Sequence, residues 1–82
     1  MTGGPAYRRD MGLQPIRSDA LVGVDYDPRR RVLTIAYVSG GTYEYYGVAP
    51  ALFMELLRSQ PHPWRRVGGR IKAHPFRRLD DG

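Results

Sequence analysis

Eighty-two residues make one small domain, and a chain this short buries only about 60% of the surface its unfolded form exposes. With 41% hydrophobic and 26% charged residues it reads as folded rather than disordered, and with no cysteine it lacks disulfides, thiolate metal centres and cysteine nucleophiles, which fits a reducing, cytoplasmic setting. Its formal charge of +5 points to an anionic partner, and no apolar run approaches the ~20 residues that span a bilayer.

Residues 1–15 carry Gly3, Gly4, Pro5, Gly12 and Pro15 without any hydrophobic period, so a disordered lead is expected there, with Leu13 or Ile16 as a late core contact. Arg8 and Arg9 are followed by no apolar stretch, and no signal peptide is expected. A single domain should then occupy residues 16–79, with 80–82 as a tail.

The first strand is expected over residues 21–26, where Val22, Val24 and Tyr26 alternate with Leu21, Gly23 and Asp25. Asp27-Pro28 opens a turn, because Asp27 can hold backbone amides two residues on and Pro28 presets φ. The second strand is expected over residues 32–38, with Leu33, Ile35 and Tyr37 on one face. Ser39-Gly40-Gly41 turns the chain into a third strand, Thr42–Tyr46, with Tyr43 and Tyr45 on one face and Thr42, Glu44 and Tyr46 on the other. Links this short allow only antiparallel neighbours. Val22, Val24, Tyr26, Leu33, Ile35, Tyr37, Tyr43 and Tyr45 form the face to be covered.

Pro50 suits a helix start, and Leu52, Phe53, Leu56 and Leu57 then form one apolar stripe that ends near Arg58. Beyond Ser59-Gln60-Pro61-His62-Pro63, the spacing of Trp64, Val67 and Ile71 predicts a second short helix, interrupted at Gly68-Gly69 and stopped by Pro75. Phe76 and Leu79 are placed to tuck onto the sheet edge. The fold class is therefore α+β: a three-stranded antiparallel β-meander packed against one amphipathic helix, followed by a short second helix.

Twelve of the thirteen cationic side chains are arginine and Lys72 is the only lysine. Residues 1–62 hold seven positive and six negative side chains, whereas 63–82 hold six positive and two negative, a net of +4 in the last twenty positions. Arg65, Arg66, Arg70, Lys72, Arg77 and Arg78 are thus the candidate contacts for nucleic acid, with an anionic membrane or an acidic protein as the lesser attractions and a solvated arginine-rich face as the plain alternative. Tyr26, Tyr37, Tyr43 and Tyr45 read as packing residues with hydroxyls at the rim, which leaves Tyr46 as the exposed ring for stacking.

For catalysis the inventory is thin. His62 and His74 are the only imidazoles, too far apart for zinc without cysteine, and both read as surface or capping groups. Ser18-Asp19 has no spacing that suggests a triad. Asp25 and Asp27 can share a side but read as a strand end and a turn former. Val67-Gly68-Gly69-Arg70 offers backbone amides to an anion yet matches no phosphate-loop pattern, and reads as a helix break. No metal site, cofactor or enzymatic activity is expected.

The order of these pieces resembles the KTSC domain, a short module named for its place at the C-terminus of some lysyl-tRNA synthetases and also found as small stand-alone bacterial and phage proteins. The resemblance rests on Val24-Asp25-Tyr26-Asp27, Leu33-Thr34-Ile35-Ala36-Tyr37 and Ser39-Gly40-Gly41-Thr42-Tyr43-Glu44-Tyr45. It continues through Val48-Ala49-Pro50, Phe53, Leu56-Leu57, Ile71-Lys72 and Pro75-Phe76. The chain departs from the pattern at Arg66-Val67-Gly68, where a Tyr-Phe-Asn-like cluster is usual, and at His74, where an aromatic is commoner; no role is carried over from that cluster. The resemblance implies no established enzymatic activity, and by association it implies contact with RNA, tRNA above all, or with a host protein. Two functions follow as expectations: an accessory module binding nucleic acid through its basic C-terminal segment, or a protein-interaction module with no nucleic-acid affinity.

Overall fold

Alternating stretches joined by tight turns can pair only with their chain neighbours. The computed structural model, which describes residues 13–79, shows that pairing carried further than the alternation alone foretells. Five antiparallel strands lie in sequence order: β1 (Gln14–Pro15), β2 (Leu21–Asp27), β3 (Val32–Tyr37), β4 (Thr42–Tyr46) and β5 (Phe76–Arg78). Two helices, α1 (Pro50–Arg58) and α2 (Pro63–Lys72), come between β4 and β5. The expected meander is the central three strands. The flanking two were not expected, since two and three residues are too short to show a period. Residues 1–12 of the expected lead and the tail 80–82 lie outside the described residues.

The turns form as their residues dictate. Asp27 Oδ1 accepts the amides of Arg29 and Arg30 at 3.0 and 3.2 Å. Gly40 and Gly41 take φ of 108° and 95°, a region closed to side chains in practice, and Tyr37 N–H closes that turn on the Gly41 carbonyl at 3.0 Å. Ser18 Oγ accepts the amides of Ala20 and Leu21 at 3.0 and 3.1 Å, which sets the entry to β2.

One expected face needs correction. Leu21 pairs with Tyr37 but Gly23 pairs with Ala36, so Val22 is an extra residue on β2. The bulge reverses the alternation behind it. Leu21 is consequently 2% exposed and Val22 is 58% exposed, the opposite of the simple period. Val38, expected to end the second strand, lies instead in the turn after β3, where its N–H reaches the Ala20 carbonyl.

The core is Leu21, Val24, Leu33, Ile35 and Tyr45 beneath Leu56, Val67 and Ile71, closed by Ile16 and Val48. Each fully buried aliphatic side chain contributes about 1.5–3 kcal/mol. Helix α1 brings Leu56 to the centre, and its Phe53 stacks on Tyr26 at 4.7 Å. The Tyr26 hydroxyl donates to the Val48 carbonyl at 2.6 Å.

Helix α2 is not broken. It runs through Gly68 and Gly69 to Lys72, with Val67 and Ile71 buried as the stripe predicts. The reason for Gly68 is contact: a Cβ there would stand 2.9 Å from the Trp64 indole. Glycine lets the ring lie flat against its own helix and meet Tyr37 edge-on at 5.5 Å. Gly69 has no such neighbour. His74 Nδ1 lies 3.0 and 3.2 Å from the carbonyls of Arg70 and Ile71, the capping role expected of it.

Candidate functional site

The two helices cover one sheet face incompletely, and the uncovered strip is aromatic. Alternation along β3 and β4 puts Tyr37, Tyr43 and Tyr45 on the helix side. Strand β5 pairs Phe76 with Tyr45 and Arg78 with Tyr43, so both join that side, while Arg77 faces away. The last turn of α2 brings Lys72. Together with the Ser39-Gly40 turn, Tyr37, Tyr43, Tyr45, Phe76 and Lys72 line an open cleft of about 360 Å³.

Its walls are rings in contact. Tyr37 meets Tyr43 edge-on at 5.6 Å, and Phe76 lies 5.8 and 5.9 Å from Tyr43 and Tyr45. The Arg78 guanidinium carbon sits 5.7 Å from the Tyr43 ring centre, a cation over a π face. Phe76 is 58% exposed although it is large and apolar. At the floor the Tyr37 and Tyr45 hydroxyls are 2.6 Å apart. Burial pushes both phenols above the ordinary tyrosine range; for Tyr37 the bond to Tyr45 and the neighbouring phenols push the same way, whereas for Tyr45 the bond acts in opposition. Both hydroxyls therefore keep their protons.

The six expected basic contacts separate into three places. At about 3.6 residues per turn, Arg65 and Lys72 share the α2 flank beside the cleft, and Arg66 and Arg70 share the opposite flank. Lys72 lines the cleft, and Arg65 lies near Asp19 at 3.8 Å. Arg70 is bound to Glu55 of α1 at 2.7 Å, and that bond holds the Glu55 carboxyl below its ordinary range. Arg77 reaches Glu44 at 3.7 Å on the far face of the sheet. Arg78 lies over the ring of Tyr43, one of the residues that line the cleft. Tyr46, the expected stacking ring, is also on the far face, and its hydroxyl donates to Glu44 at 2.8 Å. The structure thus brings Lys72 and Arg78 together with aromatic rings, places Arg65 alongside, and sets Arg66, Arg70, Arg77 and Tyr46 apart from them.

That far face holds a second depression of about 540 Å³, between Asp25, Asp27, Thr34, Thr42 and Glu44, flanked by Leu13 and Leu79. Asp27 is engaged in its turn and Glu44 with Tyr46 and Arg77. Among the described residues no group of three His, Cys, Asp or Glu is placed to hold a metal ion. No helix among them is long and apolar enough to cross a membrane.

The residue that sequence reasoning placed least well is Phe76. Its position at the sheet edge was expected, but its exposure beside Lys72 depends on a three-residue strand. The one signal for it was the pair Ile71-Lys72 followed closely by Pro75-Phe76, which ties the end of a helix to the start of an edge strand.

Comparison with known proteins agrees with this architecture. The KTSC domain model matches residues 17–62. A protein from Tsukamurella paurometabola is 37% identical over 60 residues, covering 73% of this chain and 88% of the relative. The crystal structure of a KTSC domain protein from Yersinia pestis superposes with a TM-score of 0.76 at 29% identity, over 83% of this chain and 96% of that one. The family model stops before α2 and β5, so it contains Tyr37, Tyr43 and Tyr45 of the cleft but not Lys72, Phe76 or Arg78. The sequence order, the α+β architecture and these matches have one meaning: the chain belongs to the KTSC domain family.

Proposed function

We propose that this protein is a non-catalytic binding module that holds a short single-stranded stretch of nucleic acid, RNA in the first instance, in the aromatic cleft. The observation that carries the reading is Phe76, a ring 58% exposed in an open cleft that Lys72 also lines and beside which Arg78 stands. Exposed rings beside cations are how small domains hold unpaired bases: each stacked base contributes about 1–3 kcal/mol and the cations meet the phosphates. The contact set is narrower than the basic segment as a whole. Lys72, Arg78 and Arg65 serve the ligand, while Arg66, Arg70, Arg77 and Tyr46 stand away from it.

Fluorescence anisotropy with a labelled oligouridylate tests this. Phe76→Ala and Lys72→Ala should each weaken binding about tenfold. The double change Arg66→Ala with Arg70→Ala should leave it within about twofold. The logarithm of affinity should fall against the logarithm of salt with a slope of roughly −2, as about three neutralised phosphates on a single strand require. No binding near about 50 mM salt, or a loss that follows Arg66 and Arg70 as much as Phe76, overturns the reading. A protein is the competing occupant of the same cleft. A pull-down that recovers a protein, and no nucleic acid, in a manner dependent on Phe76 decides in its favour.

A further inference from the structure

The number of bases that the cleft can hold follows from how many aromatic faces it leaves open. Tyr45 is 3% exposed, so its ring offers a ligand almost no surface. Tyr43 has Arg78 over its ring and stacks on Tyr45 at 6.3 Å. Tyr37 is held edge-on against Tyr43 and Trp64, at 5.6 and 5.5 Å. Phe76 is placed differently. Among the described residues its ring neighbours are Tyr43 and Tyr45, both on β4, whereas β5 is an edge strand. One side of the Phe76 ring therefore meets protein and the other faces outward, and the residue is 58% exposed. The cleft volume of about 360 Å³ also lies near the lower end of the ~300–1,000 Å³ range that houses a single small ligand.

We infer that the cleft grips one base at a time: its ligand unit is a single unpaired nucleotide stacked on the outward side of Phe76, not a run of stacked bases. The inference rests on the reading of the cleft as a nucleic-acid site. Neighbouring nucleotides contribute their phosphates, which meet Lys72 and its companion cations whether or not they carry a base. A first base adds one stacking contact, a gain in affinity of roughly five- to a hundredfold. A second base finds no second face and adds only another way to bind.

The test is fluorescence anisotropy with labelled hexanucleotides of one sugar–phosphate backbone. They carry no base, one uracil, two or three adjacent uracils, or six, and their other positions are abasic. Affinity should rise roughly five- to a hundredfold from none to one. From one to two and three it should rise only in proportion to the number of uracils. Phe76→Ala should remove the first gain; thermal unfolding checks that this variant folds, and the wild-type series decides without it. A further gain of about fivefold or more at the second uracil, or a gain that begins only with a run, overturns the one-base site and leaves the proposed function standing. Equal affinity for all five ligands, binding to none, or a first gain that survives in folded Phe76→Ala removes the proposed function and this inference with it.

Discussion

Gly68 and Gly69 are neighbours in sequence with opposite physical roles. A methyl group at Gly68 would press on the Trp64 indole carbons at 2.9 Å, while one at Gly69 would meet nothing within 4 Å. Overpacking costs about 1–3 kcal/mol, and replacing a helical glycine by alanine returns up to about 1 kcal/mol. Gly68→Ala should therefore be destabilising by about 1–2 kcal/mol, and Gly69→Ala stabilising by up to about 1 kcal/mol. In a domain of this size about 1 kcal/mol moves the melting temperature by roughly 4–8 °C. Thermal unfolding followed by circular dichroism should show Tm falling for the first and rising for the second. Equal shifts in the two variants would contradict the account of α2. Once the segment is helical its spacing separates the two, because Gly68 is four residues after Trp64 and shares its face whereas Gly69 does not; what the sequence does not show is that the helix continues through both.

At the scale of elements, β3, β4 and α1 were legible, since each is long enough to display its period and is bounded by Pro, Gly or Asp. Strand β2 was legible in extent but not in facing. A bulge arises from how two strands pair, and the one local mark of it is Gly23, a glycine inside a strand where a Cβ would stand 2.9 Å from the Gln14 carbonyl oxygen. The facing has a direct check. Leu21→Ala removes a side chain 2% exposed and should cost about 2–5 kcal/mol. Val22→Thr, at a position 58% exposed, should change stability by no more than about 0.5 kcal/mol. Urea unfolding distinguishes them, and similar losses from both would mean that the alternation runs through position 22 without a bulge. Strands β1 and β5 stayed hidden for a different reason: their pairing is supplied by the partners β2 and β4 rather than by any pattern of their own. The cleft inherits that blindness. Its tyrosines could be placed on one face from the sequence, but Phe76 and Arg78 could not, because their facing follows from the register of β5.

Across the whole molecule, a net charge of +5 says less than its distribution. Arg70 lies against Glu55 on the helix side of the sheet, Arg77 against Glu44 on the far face, and Arg65 near Asp19. Such exposed pairs add little stability, but they divide a segment that looks uniformly basic into separate neighbourhoods. Lys72 and Arg78 stand with the exposed Phe76 ring and its tyrosine neighbours at the cleft between α2 and β5. The most direct test of that claim is a two-dimensional amide spectrum of the protein titrated with oligouridylate. The account predicts shifts confined to residues 37–45, 64–65 and 72–78, with Asp25, Tyr46, Arg66 and Arg70 unmoved. Shifts centred on the far sheet face or on the α1 side of α2, or no shifts at all, would contradict it.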